Sequence, residues 1–362
     1  FDTRQEILFN RFESFQIGGD VTGLRIAVIG ATGAVGSVFL DMIEDSNLPI
    51  ASLRLCASER SWGRKISVKG NVLVVEEVTP KLMKEVDLVF ISATGDISKT
   101  VAPIAVDSGA IVIDDSSSFR MDPDVPLVVP EVNADDLDKH KGIIAIPNCS
   151  TTPLVMALKP LDDVNPVVRV IVDTYQSVSG TGTAAMEELK VQTQQVIAGG
   201  DVVSRQYPHQ IAFNVLPHID FFTSNGYTNE EMKMVRETRK IMHRSQLPVS
   251  ATCVRVPVMV GHSEAVHVEL QRSMSPLHVS QILSKAPGLR VIDDPKENMY
   301  PMPTEVAGND PVFVGRIRRD ESCENGIVMW LVSDNLRKGA ALNAIQIAEE
   351  VINRNSLAVK AA

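Results

Sequence analysis

Short apolar runs, rich in β-branched residues, alternate with stretches of helical periodicity through the first 150 residues. The run LRIAVIG at 24–30 predicts a buried strand that ends in glycine, and ATGAVGSVFLDMIED after it predicts a helix. Further strand-like runs are SLRLCAS, NVLVVEEV, DLVFISATG, AIVIDDSSS and GIIAIPNC, with PKLMKEV and SKTVAPIAVDSG as helical stretches between some of them. This alternation predicts a mostly parallel, doubly wound α/β sheet up to about residue 150.

The pattern changes from VVRVIVDTYQSVSG at 167–180 onward. Longer strands such as CVRVPVMV and HVELQRS are accompanied by the helical stretches TAAMEELKVQTQQVIAG and NEEMKMVRETRKIMH. We therefore expect a second, α+β domain for substrate binding or oligomerisation. The tail LRKGAALNAIQIAEEVINR at 336–354 has apolar residues at helical spacing and predicts a strong helix that could cap either domain.

Length and composition agree with two globular domains. The 362-residue chain is about twice the usual domain size, and 44% of its residues are hydrophobic. The formal net charge of -10, without a block rich in Lys and Arg, argues against nucleic-acid binding. Gly and charged residues interrupt every apolar run before the roughly 18 to 20 residues needed to cross a bilayer. We expect a soluble protein that acts on a small molecule.

The spacing of the cysteines indicates the type of cellular compartment. Cys56, Cys149, Cys253 and Cys323 are widely spaced and form no CxxC, so neither a metal site nor a disulfide framework is predicted. A reducing compartment fits best, and we expect the cytoplasm. The segment QEILFNRFESFQIGG before the first strand is too polar for an uncleaved secretory signal. It stays open whether this segment is an added amphipathic turn or a processed leader, which would indicate a plastid.

A glycine turn joins the first strand to the first helix. Gly30, Gly33 and Gly36 are spaced GxxGxxG, which departs from the common GxGxxG pattern. Without side chains, the main-chain N–H groups and the helix N-terminus can approach a pyrophosphate, so the turn predicts a dinucleotide cofactor; tight packing alone is the alternative. We expect the cofactor to contact this turn at Gly30, Thr32, Gly33, Ala34, Val35 and Gly36.

The end of the second strand bears on which dinucleotide binds. The strand in SLRLCASER has no Asp or Glu at its C-terminal end to accept a hydrogen bond from a ribose 2′-hydroxyl, and the residues that follow the strand include Ser58, Arg60 and Ser61. These residues suit a 2′-phosphate, which favours NADP over NAD. The alternative for Arg60 is an ordinary solvated loop charge.

One cysteine stands where a nucleophile would. Cys149, in IPNCSTT, follows a predicted strand and begins a predicted helix, where the helix dipole and free N–H groups lower the pKa of a thiol. Cys56 and Cys253 lie inside apolar strands and are interpreted as buried hydrophobic residues. His262 follows the strand RVPVMVG directly and is the candidate base, although a single histidine is more often structural.

Eight collinear motifs add a family resemblance from about residue 24 to 354. They are GATGAVG, SSSFRMDPDVPLVVPEVN, PNCSTT, YQSVSGTG, MEEL, NEEMKM, RVPVMVGHSE and DNLRKGAALNAIQIAE. In this order they resemble the aspartate-semialdehyde dehydrogenases. The resemblance implies a Rossmann-like NADP-binding domain at 1–150, completed by the C-terminal helix at 334–362. It also implies a catalytic and dimerisation domain at 151–333 and an assembly that is a homodimer or a homotetramer.

The resemblance also implies catalytic roles. Cys149 would attack the acyl-phosphate or aldehyde carbon, and His262 would be the general acid/base with a near-neutral pKa. Gln176, in YQSVSG, is similar to the glutamine that orients the substrate near the thiol. The implied reaction is the NADPH-dependent reductive dephosphorylation of L-aspartyl 4-phosphate to L-aspartate 4-semialdehyde, in lysine, threonine and methionine biosynthesis.

Substrate and cofactor contacts are implied in the same way. The family's phosphate-binding arginine matches Arg120, and the planar fork of Arg255 matches the clamp on the substrate carboxylate. Glu230 would meet the substrate ammonium; without the resemblance, Glu230 and Lys233 would be an ordinary surface pair on a helix. The phosphate would also contact Asn148 and Lys233. Further cofactor contacts are expected at Ser179, Gly180 and Asn335.

Some positions depart from the family pattern, and three other functions are weighed. Asp115 stands where the family favours Asn, and Ala93 and Thr94 stand where it commonly has a glycine-rich turn. The nearest alternative is an N-acetyl-γ-glutamyl-phosphate reductase, whose substrate has no ammonium to pair with Glu230. A Cys/His acyl hydrolase would leave the glycine turn unexplained. A silent dinucleotide-binding regulator would not need both Cys149 and His262.

Overall fold

The computed structural model describes residues 23–354. Two sheets with separate hydrophobic cores form the molecule in this range. Residues 1–22, on which the expectation of a leader depends, and residues 355–362 lie outside the described residues. Across the described range no helix combines the length and the apolar character that spanning a membrane requires.

The first sheet contains seven strands in the order β3-β4-β2-β1-β5-β6-β7. They are β1 (Leu24–Ile29), β2 (Ile50–Cys56), β3 (Lys65–Val68), β4 (Asn71–Glu76), β5 (Leu88–Ile91), β6 (Ile111–Asp114) and β7 (Ile143–Ala145). All pairings are parallel except the edge hairpin β3–β4. The helices of this region are α1 (Ala34–Asp45), α2 (Pro80–Met83), α3 (Gly95–Asp107) and α4 (Pro130–Asn133).

The strand order explains where a ligand can bind. Without the edge strand β3, the parallel strands follow the order third, second, first, fourth, fifth, sixth, which is the Rossmann arrangement. The order reverses between β1 and β5, and crevices at such a switch point open beyond the carboxyl ends of the strands. The glycine turn follows β1 at this point, and Ser92 follows β5 beside it.

The second sheet contains six strands in the order β11-β12-β13-β10-β8-β9. They are β8 (Val167–Gln176), β9 (Val249–Arg255), β10 (His262–Leu270), β11 (Leu289–Val291), β12 (Val312–Arg319) and β13 (Gly326–Ser333). The helices are α5 (Thr151–Val164), α6 (Thr183–Ile197), α7 (Asn229–Ile241), α8 (Pro276–Leu283) and α9 (Pro303–Val306). Side chains of α5, α7 and α8 share one core with the inner face of this sheet.

The chain then returns to the first sheet. After β13, a π-helical turn (Arg337–Ala341) leads into α10 (Leu342–Asn353). Ile345, Ile347 and Val351 of α10 are buried in the same hydrophobic cluster as β1 and α1. The predicted fold class, a Rossmann-like α/β domain with a second α+β domain, is confirmed; the uniform helix predicted at 336–354 instead begins with a π turn.

Candidate active site

A cleft beyond the ends of both sheets collects most of the candidate residues. It contains about 970 Å³ of empty space, including solvent at its mouth, which is enough for a small substrate beside a nicotinamide ring. Its walls come from the segment before α5, from α7, from the ends of β8 and β9, and from the segment between β13 and α10. The candidate residues that line it are Val35, Arg120, Asn148, Cys149, Gln176, Ser179, Gly180, Glu230, Lys233, Arg255 and Asn335.

Sheet register places one row of polar side chains at the floor of this cleft. Arg255 of β9 pairs with Gln176 of β8, and His262 of β10 pairs with Ser333 of β13. The pairing of β8 with β10 places these two residue pairs side by side, so that together they form one row across four strands. Going inward on the same face, buried Thr174 and Glu264 come next, and Val172, Val266 and Met329 of the core follow. The apolar inner face of the sheet therefore begins beyond Thr174 and Glu264.

Glu230 lies at the centre of a group of hydrogen-bonding side chains in the cleft. Its carboxylate accepts hydrogen bonds from Asn148 Nδ2 at 2.8 Å, Gln176 Nε2 at 3.0 Å and Lys233 Nζ at 3.1 Å. Burial works against its ionisation, but Lys233 and these hydrogen bonds lower the pKa of Glu230 to about 2. The helix that carries it begins with a capping box formed by Thr228 and Glu231, as its TNEE sequence allows. Glu230 is thus a fixed, buried anion.

Two buried arginines lie in the same cleft. Arg120 donates from Nη1 to Glu237 at 3.1 Å and from Nη2 to the main-chain oxygen of Asp115 at 2.8 Å. Arg255 donates from Nη1 to the main-chain oxygen of Ser177 at 2.8 Å. The Nε atoms of both arginines are buried without a hydrogen-bond partner in residues 23–354. Buried donors of this kind indicate missing acceptors, and anions are the acceptors that guanidinium groups prefer.

Cys149 is held at the start of α5 by its neighbour Asn148. The main-chain N–H of Asn148 donates to Glu237 at 2.7 Å, and its side-chain oxygen accepts from the N–H of Ser150 at 3.0 Å. Burial, together with the charge of Glu230, raises the pKa of the Cys149 thiol to about 12. The sequence-based expectation of a lowered pKa is therefore wrong for the unliganded cleft, because desolvation outweighs the effect of Arg255 and Arg120.

His262 lies under Gly180, between Gln176 and Ser333 in the polar row. Its Nδ1 accepts from the N–H of Ser177 at 3.1 Å, and its Nε2 is buried without a partner among the described residues. A Cβ added at Gly180 would stand 3.2 Å from this Nε2 and 3.1 Å from Nη1 of Arg255, so glycine keeps the approach open. Burial and Arg255 lower the pKa of His262 to about 3, which corrects the expectation of a near-neutral value.

Asn335 joins this region to the nucleotide side. Its Oδ1 accepts from Ser177 Oγ at 3.1 Å, Ser179 Oγ at 3.0 Å and the N–H of Gly261 at 3.0 Å. Its Nδ2 is buried and has no partner within the described part of the chain. An amide donor that is fixed on one side and free on the other suits a carboxamide such as that of nicotinamide.

The glycine turn fits a dinucleotide in the same way. Gly30 has φ +89°, and a Cβ there would stand 2.0 Å from the main-chain oxygen of Ser92; a Cβ at Gly36 would stand 2.2 Å from that of Gly30. These two glycines are required by packing, so close packing explains part of the motif. Gly33 is less crowded, and as the N-cap of α1 it has no side-chain capping bond, which leaves the first N–H groups of the helix free for a pyrophosphate.

The residues predicted to select NADP lie in a separate loop. A 3₁₀ turn (Glu59–Ser61) follows β2, and Ser61 Oγ lies 3.2 Å from Thr32 Oγ1 of the glycine turn. Ser58 and Arg60 are exposed beside it. Glu59 is in the same turn, so this loop offers a carboxylate as well as a guanidinium to an approaching ribose.

The π-helical turn packs directly behind Cys149. A Cβ at Gly339 would stand 3.0 Å from Cβ of Cys149. The turn is anchored by Lys338, which is buried and donates to Glu131 at 2.6 Å, Asn343 at 3.0 Å and Gln346 at 2.6 Å. Gln346 therefore belongs to this anchor, and its Nε2 also donates to Glu131 at 3.0 Å.

Comparisons with known proteins agree with this geometry. Residues 25–140 match the family model of the semialdehyde dehydrogenase NAD binding domain, and residues 158–338 match that of the semialdehyde dehydrogenase dimerisation domain. The chain is 52% identical over 334 residues to aspartate-semialdehyde dehydrogenase of Aquifex aeolicus, covering 91% of this chain and 98% of the relative. It is 49% identical over 341 residues to that of Bacillus subtilis, covering 92% and 99%.

The chain belongs to the aspartate-semialdehyde dehydrogenase family. Among solved structures, aspartate semialdehyde dehydrogenase II from Vibrio cholerae complexed with ASA is similar with a TM-score of 0.89 and 43% identity, covering 91% of this chain and 98% of that one. The enzyme from Candida albicans with NADP is similar with a TM-score of 0.74 and 28% identity, covering 92% and 99%. The chain is accordingly an enzyme with an NAD(P)-binding domain and a domain of a type used for dimerisation.

Within this semialdehyde dehydrogenase fold, the predicted catalytic and substrate residues converge on one cleft, with His262 directly beneath it. The cofactor residues divide between the cleft, the glycine turn and the loop after β2. Cys56 and Cys253 are fully buried, which confirms their interpretation as hydrophobic residues. Cys323 is half-buried and free.

Several residues of the site were missed from the sequence. Glu237 follows Glu230 by seven residues and so lies on the same face of α7, a spacing that could have revealed it. Ser177 stands inside the quoted motif YQSVSG but was not singled out. No pattern in the sequence indicated Lys338 as an anchor, since a lysine at a predicted helix start is usually solvated.

Proposed function

We propose that this enzyme converts L-aspartyl 4-phosphate to L-aspartate 4-semialdehyde and phosphate with NADPH, the reductive dephosphorylation that serves lysine, threonine and methionine biosynthesis. The observation that carries the proposal is the pair of buried guanidinium groups, Arg120 and Arg255, that share one cleft with Cys149. Two cations suit a substrate with two anionic ends, and the buried carboxylate of Glu230 suits its ammonium group.

In this reaction the sulfur of Cys149 attacks the acyl carbon, and the bond from carbon to the phosphate oxygen breaks. Arg120, with Lys233 and Asn148, binds the phosphate, while Arg255 binds the substrate carboxylate. Gln176 orients the acyl group above the polar row. When bound, NADPH supplies the hydride that reduces the resulting thioester, and the carbon–sulfur bond then breaks to release the aldehyde. His262 acts at the acyl oxygen, where its free Nε2 is available.

The choice of NADP over NAD rests on the loop after β2. Ser58, Arg60 and Ser61 would contact the 2′-phosphate, and the exposed guanidinium of Arg60 is the main attraction. The pyrophosphate would lie against Gly33, Ala34 and the N-terminus of α1. Ser179, Gly180 and Asn335 would contact the nicotinamide end.

The domain organisation is part of the same proposal. Residues 1–150 with 334–362 would form the nucleotide domain, supported by the packing of α10 beside α1. Residues 151–333 would form the catalytic and dimerisation domain of a homodimer or homotetramer. The four free cysteines favour a reducing compartment, which is the cytoplasm, or a plastid if a leader is removed.

The first experiment measures NADPH formation from L-aspartate 4-semialdehyde and NADP, with and without phosphate, beside N-acetylglutamate 5-semialdehyde. Phosphate-dependent turnover of the first substrate alone is expected. Turnover of the N-acetylated substrate would favour the N-acetyl-γ-glutamyl-phosphate reductase instead. Cys149→Ser should still bind NADPH and lose the redox reaction, and near-normal activity in that variant would refute the thioester mechanism.

A further inference from the structure

A second pocket adjoins the active-site cleft along α7, and we call it the outer pocket. It contains about 760 Å³ of empty space, including solvent at its mouth, and it shares Ser117, Arg120, Asp220 and Lys233 with the cleft. Arg120 and Lys233 therefore stand at the boundary between the two spaces. The residues that line the outer pocket but not the cleft are Met121, Asn229, Arg236 and Glu237.

One face of α7 forms a wall of the outer pocket. Asn229, Lys233 and Arg236 follow one another at spacings of four and three residues, so their side chains lie in a row along the helix. Glu230 in the first turn is buried, the side chain of Lys233 is 26% exposed, and Arg236 one turn further is exposed. A ligand that moves along this face therefore passes from solvent into the cleft.

The three cations of the outer pocket differ in their partners. Arg120 donates to Glu237 at 3.1 Å, and Lys233 donates to Asp220 at 2.8 Å. The guanidinium of Arg236 forms neither an ion pair nor a hydrogen bond with any of residues 23–354. Asp220 and Glu237 are the two carboxylates in this lining, so it carries one positive charge more than it neutralises, and Arg236 is the unpaired cation.

Neutral donors without acceptors surround this charge. In the run of three serines after β6, Ser116 donates to Asp114 and Ser118 donates to a main-chain oxygen. Ser117 between them is exposed, lines both spaces, and has a hydroxyl without a partner in the described part of the chain. The side-chain amide of Asn229 is likewise unpaired there. Free donors beside an unpaired guanidinium suit an oxyanion.

We propose that Arg236 forms an outer binding site for inorganic phosphate, from which the anion passes by Lys233 to Arg120 in the cleft. The proposal rests on the proposed function for the identity of the anion that Arg120 binds. Phosphate released by the reductive reaction leaves by the same route, and phosphate consumed by the reverse reaction enters by it. Arg236 itself does not line the cleft, so it binds phosphate before or after the reaction and not during it.

The pairing of the inner cations explains why an outer site matters. An anion that approaches from solvent is attracted first by the unpaired charge of Arg236, because the charges of Arg120 and Lys233 are partly cancelled by their carboxylate partners. At the boundary, the free Nε of Arg120 can donate to a phosphate oxygen while the ion pair with Glu237 remains. The transfer exchanges hydrogen-bond partners only, and no covalent bond changes.

The binding test measures the Kd of inorganic phosphate for the unliganded full chain, by phosphorus-31 NMR relaxation at a fixed pH. Arg236→Gln should raise this Kd about fivefold, since one exposed charge beside a dianion is lost, and Arg236→Lys should stay within about twofold of the wild type. Lys285→Gln is the control, because Lys285 is an exposed cation outside both pockets. Equal Kd values for Arg236→Gln and Lys285→Gln would overturn the outer site.

Kinetics with L-aspartate 4-semialdehyde and NADP test the route. In Arg236→Gln, kcat/KM for phosphate should fall about fivefold and depend less on ionic strength than in the wild type, because an exposed charge attracts phosphate through a field that salt screens. Weaker phosphate binding with an unchanged kcat/KM for phosphate would refute the route. Failure of the proposed function would appear instead as a wild type without phosphate-dependent turnover, and the NMR comparison would still decide the outer site.

Discussion

At the scale of single residues, the site depends on charges that burial alone would not tolerate. Arg120 is buried with Glu237 as its ion-pair partner, and Glu230 is buried with Lys233. One member of each pair can still bind a ligand group, because Nε of Arg120 has no hydrogen-bond partner among residues 23–354 and Glu230 is already ionised. Such pairs contribute little to stability after desolvation, so their arrangement is better explained by the anions and cations of a ligand.

Asp115 should make phosphate binding in the proposed reaction depend on pH. Burial raises its pKa to about 7, with Arg120 opposing the shift. Below that pH the carboxyl is neutral, and above it a carboxylate competes with phosphate for Arg120. We expect the KM for phosphate to rise by about fivefold more in the wild type than in Asp115→Asn between pH 6 and 8. Comparison at each pH cancels the ionisation of phosphate itself, and parallel profiles would refute the effect.

Glu230 should control recognition of the substrate amine. Replacing it with Gln removes the charge that would pair with the ammonium group, so kcat/KM for L-aspartate 4-semialdehyde should fall about 10- to 100-fold. Asp220→Asn is the matched control, since Asp220 is the other carboxylate bonded to Lys233, at 2.8 Å. Steady-state assays of both variants measure this difference. An equal fall in kcat/KM for the two variants would mean that Glu230 acts only through Lys233.

Part of this site could be predicted from residue types and part could not. Cys149, His262 and the arginines stand in distinctive motifs, so their positions were predictable. Their pKa values were not, because the thiol and the imidazole are desolvated by residues distant in sequence, and desolvation cannot be read from local patterns. Ser177 was missed for a related reason, because it contacts His262 and Arg255 through its main-chain atoms.

At the scale of elements, periodicity predicted most of the strands and helices, though not α4, α8 and α9, and it could not give the register between the strands. The row that contains Arg255, Gln176 and His262 exists because β8 pairs in parallel with β9 and antiparallel with β10. A shift of one residue in either pairing would turn these side chains to the other face. Register depends on long-range packing, which a single strand pattern does not contain.

The π turn before α10 is an element held by one buried ion pair. Lys338→Met would leave Glu131 without its cation, and removing one partner of a buried pair costs about 3–5 kcal/mol. Lys139→Met is the control, because Lys139 is exposed and its ion pair with Asp136 should contribute little to stability. Urea unfolding of both variants measures the difference. A loss for Lys338→Met no larger than the control would contradict the anchoring role.

At the scale of the whole molecule, the cleft is formed by residues from both sheets and their helices. The glycine turn and the π turn come from the first sheet and its helices, whereas Gln176, His262 and Arg255 come from the second. The chain crosses between the two at Cys149 and again at Asn335. The proposed nucleophile and a proposed cofactor contact therefore lie at the two crossings, where a change in the angle between the domains would alter the path of hydride in the proposed reaction.

The outer face of the second sheet is the surface that a second subunit would cover. The face of β8 and β10 opposite the helices carries Ile171, and Tyr175 there is 40% exposed beside Trp330. Within the described residues α9 packs on this face at β12 and β13, and the exposed apolar surface beside it indicates an interface. Because the chain matches a dimerisation domain at 158–338, we expect Ile171→Asp to convert dimers to monomers in sedimentation velocity.

The matched control for that substitution is Val72→Asp. Val72 is also apolar and 63% exposed, but it belongs to β4 in the edge hairpin of the first sheet. A charge at Val72 should leave the sedimentation coefficient unchanged, because this hairpin lies in the nucleotide-binding region. If Val72→Asp dissociated the dimer and Ile171→Asp did not, the interface would lie on the first sheet. The polar row on the inner face of the second sheet would then gain no rigidity from subunit contact.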